Sequence, residues 1–212
     1  MRDILEEVAA AARSVARRGT GDDEQVAVTV RRTYGAAVED VWDAVTDPDR
    51  LGRWFAPVTG DLRDGGAFQV EGNVGGDIVR CERPHRLTLT WGGPVSVVDV
   101  RLRADGDRAT TLELEHTVPV AIAGSGAGAL YVGPGWDVGV LGLGQYLDGV
   151  VVADVPAWEG SAEVQRFTER AIAAWVEVVA GSGTASGEET AAAAEVARAQ
   201  FTPDLLAGTA QE

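Results

Sequence analysis

Apolar positions along this chain follow two different periods, and the changes between them predict the elements. From Val38 to Phe55, Val38, Val41, Trp42 and Val45 recur at helical spacing, with Glu39, Asp40 and Asp43 on the opposite side. Thr46 and Asp47 precede Pro48, an N-cap followed by a first-turn proline. A second short helix therefore carries Leu51, Trp54 and Phe55 on its apolar side, until Pro57 stops it. Two short helices joined in a V leave apolar faces that must be covered, and a sheet is the natural cover.

The strands read from period-two alternation. Gln25 to Tyr34 places Val26, Val28 and Val30 against Ala27, Thr29 and Arg31. After the helical V come Ala67–Glu71, Asp77–Glu82, Arg86–Trp91, Ser96–Arg103 and Thr110–Thr117, separated by Gly75-Gly76, Arg83-Pro84, Gly92-Gly93-Pro94 and Asp105-Gly106-Asp107. Turns this tight join antiparallel neighbours. Leu87, Leu89 and Trp91 share one face, as do Val98, Val100 and Leu102, and Leu112, Leu114 and His116. Thr88, Thr90, Asp99, Arg101, Glu113 and Glu115 take the other. One curved sheet covered on one side is expected.

Helical patterns flank this meander. Residues 3–18 carry Ile4, Val8, Ala11 or Ala12, and Val15 as a stripe behind Asp3 as cap, so 1–20 is expected to form an N-terminal helix. The Gly-rich run 135–149 spaces Trp136, Val140, Leu143 and Leu147 helically. Each glycine costs a helix about 1 kcal/mol against alanine, so close packing must hold it. Ser161 to Val179 and Glu188 to Phe201 read as further helices. The class is α+β, with a core domain over 25–150 and a helical extension over 155–212.

Composition narrows the function classes. With 212 residues, 45% of them hydrophobic, the chain can bury one ordinary core. A net charge of −15 disfavours nucleic acid and anionic membrane as partners. No apolar run spans a bilayer and acids interrupt the N-terminus, so a cytoplasmic location is expected. The single Cys81 excludes an internal disulfide. Cys81-x-x-x-His85 offers two soft ligands where structural zinc needs four, so no metal is expected. Gly124-x-Gly126-x-x-Ala129 has the spacing of a dinucleotide loop without a parallel unit around it, so no cofactor is expected.

The ordered motifs resemble a known family. These are Val38-x-x-Val41-Trp42-x-Ala44-Val45-Thr46-Asp47-Pro48, Leu51-x-x-Trp54-Phe55, Asp61-Leu62-Arg63-x-Gly65-Gly66-x-Phe68, Gly76-x-Ile78-x-x-Cys81-Glu82-Arg83-Pro84-x-Arg86-Leu87, Thr111-Leu112-x-Leu114-x-His116 and Gly135-Trp136. Their order is similar to that of START-like (SRPBCC) proteins, in the subgroup of heat-shock-protein-90 ATPase activator homologues. The resemblance implies a helix-grip fold, a curved antiparallel sheet around a C-terminal helix, with a cavity between them for a hydrophobic or aromatic small molecule. Relatives of this kind include lipid carriers, polyketide aromatase/cyclases and co-chaperone domains. Without the separate N-terminal domain of eukaryotic co-chaperones, direct chaperone activation is not expected, and the stretch past the usual end is expected to lengthen the lid or support a homodimer.

Candidate ligand-binding residues are Trp54, Phe55, Phe68, Trp91, Leu114, His116, Trp136 and Tyr146. The aromatic rings would line a cavity or fill a core equally well. His116, inward with Leu112 and Leu114, would bond a neighbour at the sheet edge, touch a ligand or move a proton. Three functions follow: a binder of an apolar small molecule, a polyketide cyclase-like enzyme using His116 or Tyr146, or a co-chaperone-like interaction module.

Overall fold

The computed structural model describes residues 4–209. The chain forms two compact units. One holds the described residues up to Val30, then Val118–Val140, then those from Pro156 onward. The other holds Arg31–Thr117 and Leu141–Val155.

The second unit contains the meander. After the end of β2 (Gln25–Tyr34) come helices α1 (Val38–Thr46) and α2 (Pro48–Leu51). Strands β3 (Val58–Gly60), β4 (Ala67–Val70), β5 (Gly75–Glu82), β6 (Arg86–Thr90), β7 (Val97–Ala104) and β8 (Thr110–Pro119) follow. The sheet runs β2-β8-β7-β6-β5-β4-β3, and each pairing from β3 to β8 is antiparallel. Pairing keeps like side chains together: Leu87 faces Val100, which faces Leu114, and Leu89 faces Val98, which faces His116. All six expected strands are present, as β2 and β4–β8. The short edge strand β3 escaped the alternation test because its three residues are too few to show a period.

The opposite face of the same strands is ionic. Asp99 accepts both Arg86 nitrogens, at 2.9 and 3.0 Å, and the Thr88 hydroxyl at 2.9 Å, and it also meets Arg101. Burial pushes the Asp99 carboxyl up, but Arg86, Thr88 and Arg101 outweigh it, so its pKa lies below the usual carboxylate value. Glu115, on the face expected to be uncovered, is also buried; it stands opposite Asp99 and 3.9 Å from Arg101.

The first unit is mostly helical. Its N-terminal segment corrects the expected helix over 1–20: Ile4–Ala10 is a 3-10 helix and Ala11–Arg18 is a strand, β1, beside β2. Ala11 and Val15, both buried, are four residues apart, a spacing that fits one face of a helix and one face of a strand equally well. Between them Arg13 also points inward, where a polar residue hid the alternation. Asp3 lies outside the described residues. Helices α3 (Val120–Ala123), α4 (Gly133–Leu147), α5 (Val155–Glu159), α6 (Ala162–Ser182), α7 (Gly187–Phe201) and α8 (Pro203–Thr209) complete the chain. In this unit α6 packs on β1 and α7 through Val164, Phe167, Ala171, Ile172, Trp175 and Val179, all buried. Ser186 opens α7 with a capping box to Glu189. The Gly124–Gly128 run forms a 3-10 helix, Gly126–Tyr131, capped by Ser125.

The glycines of α4 serve close approach, as the sequence suggested. A Cβ on Gly133 would stand 2.4 Å from the Trp175 ring. In the other unit, one on Gly144 would meet the Arg32 guanidinium of β2 at 2.8 Å.

Candidate binding pocket

The α1–α2 corner sets one wall of a pocket. Asp47 ends α1 and caps α2, its carboxylate accepting the amides of Asp49 at 2.8 Å and Arg50 at 3.2 Å. The Thr46 hydroxyl turns back onto the Trp42 carbonyl at 2.8 Å. Trp54 is buried and its indole Nε1 donates to the Ala44 carbonyl at 3.0 Å, tying the exit of α2 to α1. The neighbouring Phe55 ring lies 5.6 Å away and faces the space beside the sheet.

That space is a cavity of about 120 Å³. Val45 and Thr46 come from α1, Leu51 from α2, Val58 from β3, Phe68 and Val70 from β4, Ile78 and Cys81 from β5, and Leu87 and Leu89 from β6. Phe55, Leu62 and Trp91 complete it. Phe68 and Trp91 meet as a tilted pair at 5.8 Å. Phe68, Val70, Ile78 and Leu87 are buried and form its floor, whereas Leu62 and Cys81 are exposed.

Cys81 reaches this lining through a shift in strand register. Ile78 pairs with Leu89, but Arg80 pairs with Thr88 and Cys81 with Leu87. The extra residue of the bulge moves Cys81 onto the face of Ile78, which strict alternation denies it. Cys81 stands exposed at the pocket margin. Burial of its sulfur, and then the Asp64 charge, push the thiol pKa up and disfavour thiolate. The Thr46 hydroxyl is already engaged with the helix backbone. The lining therefore presents hydrocarbon and aromatic surface with no ready acid, base or nucleophile.

The eight candidate residues separate. Phe55, Phe68 and Trp91 line the cavity. Trp54 sits behind Phe55 as an anchor, and Leu114 is buried on β8 opposite Val100 without lining the cavity. His116 is 2% exposed and its Nε2 lies 2.8 Å from the Ser96 hydroxyl, the neighbour-bonded arrangement among the three expected for it. Burial drives its pKa down to about 4, so the ring is neutral near pH 7. Tyr146 lies in a separate polar cleft with Asp40, Arg50, Asp107 and Arg108, where its hydroxyl accepts Arg50 Nε at 3.0 Å. Trp136 belongs to the other unit. The aliphatic lining residues carried no distinguishing signal, because a cavity wall and a filled core use the same side chains.

The sheet, the helical V and this pocket define an α+β protein of the START-like, helix-grip class. The chain belongs to the Activator of Hsp90 ATPase homolog 1-like family, whose model matches residues 35–148. Among solved structures it is similar to CalU16 from Micromonospora echinospora. The crystal structure of that protein is 37% identical over 81% of this chain and 99% of the other, with a TM-score of 0.65. Its solution structure gives 36% identity over 82% and 97%, with a TM-score of 0.67. DynU16, described as a putative protein in the dynemicin biosynthetic locus, is 27% identical over 61% of this chain and 48% of its own, with a TM-score of 0.52. A search of curated proteins gives no match. Among the described residues no helix is long and apolar enough to cross a membrane.

Proposed function

We propose that this protein binds an apolar or aromatic small molecule in the pocket beneath α1 and α2. The observation that carries this reading is the lining: eleven of its thirteen residues are aliphatic or aromatic, and the two others are Thr46 and Cys81. A pocket lined this way gains free energy when an apolar guest displaces poorly ordered water from it. Kinship with a protein of a biosynthetic locus supports a small metabolite as the guest. The cyclase-like alternative has less support, because neither His116 nor Tyr146 lines the cavity.

The test compares wild type with Leu89→Trp, which fills the space with a larger ring. Thermal stability is followed against a panel of monocyclic and bicyclic aromatic alcohols, with circular dichroism to confirm the fold. Saturable stabilisation of wild type and its loss in Leu89→Trp is expected. A folded Leu89→Trp protein stabilised as strongly as wild type would place the guest elsewhere and overturn the reading.

A further inference from the structure

The size of the pocket restricts what it accepts. It measures about 120 Å³, somewhat less than the roughly 150 Å³ apolar cavities known to hold a single benzene. Its floor cannot yield easily. Phe68 and Val70 on β4, and Leu87 on β6, sit on strands hydrogen-bonded to β5 between them. The Phe68 ring is further braced by Trp91 at 5.8 Å. Forcing a larger body inside would displace side chains that are already close-packed.

The pocket is also closed on one side and open on the other. Leu62 is 37% exposed and Cys81 is exposed, while the floor residues are buried. A guest can therefore leave a substituent at Leu62 and Cys81 in contact with water. Polar groups border that end: the Cys81 amide donates to Asp64 Oδ1 at 2.9 Å, and Asp61 pairs with Arg63 at 2.9 Å.

Resting on the small-molecule reading above, we propose that the pocket selects ligands by a single-ring head. One monocyclic aromatic or similarly sized hydrocarbon group is buried against Phe68 and Leu87, and the polar remainder of the ligand passes out beside Leu62. Fused polycyclic bodies are excluded from the interior. The pocket thus reads the end of a molecule and not the whole of it, so ligands of quite different overall size share it if they carry the same head.

Three probes test this directly: benzyl alcohol, 2-naphthalenemethanol and 9-anthracenemethanol, each a ring system on a short hydroxylated arm. Dissociation constants are measured by ligand-observed NMR and by quenching of tryptophan emission. In wild type the one-ring probe should bind saturably, and the three-ring probe should bind weaker by about tenfold or more, against its greater hydrophobicity. Leu89→Ala, confirmed folded by circular dichroism, should move the preference toward the two-ring probe. Equal or tighter binding of 9-anthracenemethanol by wild type overturns the size rule while leaving a binder in place. An unchanged preference in folded Leu89→Ala also overturns it. Failure of all three probes to bind sinks the small-molecule reading itself.

Discussion

Arg13 and Asp137, 124 positions apart, form a buried bidentate ion pair in the mostly helical unit. Arg13 Nε donates to Asp137 Oδ2 at 2.9 Å and an Arg13 terminal nitrogen donates to Oδ1 at 2.7 Å. The side chains are 6% and 0% exposed. Asp137 Oδ2 also accepts the Trp175 indole at 2.7 Å, and Arg13 spends further donors on the carbonyls of Val8 and Ala11. One carboxylate thus joins strand β1, helix α4 and helix α6.

Removing that carboxylate strands a guanidinium and an indole N–H away from water. Asp137→Ala should cost about 3–5 kcal/mol of stability, the penalty of breaking a buried pair from one side. Arg13→Met combined with Asp137→Leu should recover much of the loss, because desolvation of both charges disappears with them. Urea unfolding followed by tryptophan fluorescence measures both. A double variant no better than Asp137→Ala would show that geometry, and not the uncompensated charge, sets the cost.

His116 gives a pH dependence with a definite sign. Its folded pKa, about 4, lies below the roughly 6.5 of an unfolded chain. Above pH 6.5 neither state is protonated and the histidine adds no pH slope. Between 6.5 and 4 the unfolded chain takes up a proton that the buried ring does not, so stability falls as pH falls, by on the order of 3 kcal/mol in total. His116→Gln should flatten that segment of the stability profile. The ring resonances of native protein should stay in the neutral position at pH 5.5; a midpoint near 6.5 by NMR would contradict the burial argument.

What the sequence disclosed and what it hid divide along physical lines. The α1–α2 corner was readable because its signals are local: Asp47 before Pro48, and Val38, Val41 and Trp42 at helical spacing; α2 itself ends at Leu51, short of the expected Trp54 and Phe55. The meander was readable because turn glycines and alternation agree. β1 was not, since Ala11 and Val15 satisfy both periods and Arg13 is inward only because Asp137, far along the chain, neutralises it. The bulge after Ile78, which brings Cys81 to the pocket margin, leaves no mark in the sequence. The pocket itself was only half legible. Phe55, Phe68 and Trp91 are conspicuous rings, but whether space remains between them and Leu87 is a question of volume, which residue types do not determine.

The α2 cap links local stability to the pocket. Asp47→Ala removes an acceptor from two amides in a four-residue helix and should cost about 1 kcal/mol. Because Leu51 on α2 lines the cavity, ligand affinity should fall with it, while Asp47→Asn should retain most of both. Thermal melts with and without a one-ring probe separate the effects. Equal stability of Asp47→Ala and wild type would show that α2 is held by the Trp54 contacts alone.

Gly133 tests why α4 tolerates so many glycines. A methyl at this position would intrude to 2.4 Å on the Trp175 ring, whose indole is fixed by Asp137 and which is itself fully buried. The ring cannot rotate away without losing that bond, so helix propensity and packing oppose each other here. Propensity alone favours alanine, by at most the about 1 kcal/mol of a helix interior, since Gly133 opens α4. Overpacking predicts a loss of about 1–3 kcal/mol, and the larger effect should win: Gly133→Ala is expected to destabilise and to shift tryptophan emission. Gly139→Ala, where a Cβ meets nothing within 4 Å, is the internal control and should be neutral or stabilising. Stabilisation by both substitutions would show that Trp175 has room to move and that close packing is not what requires glycine at 133.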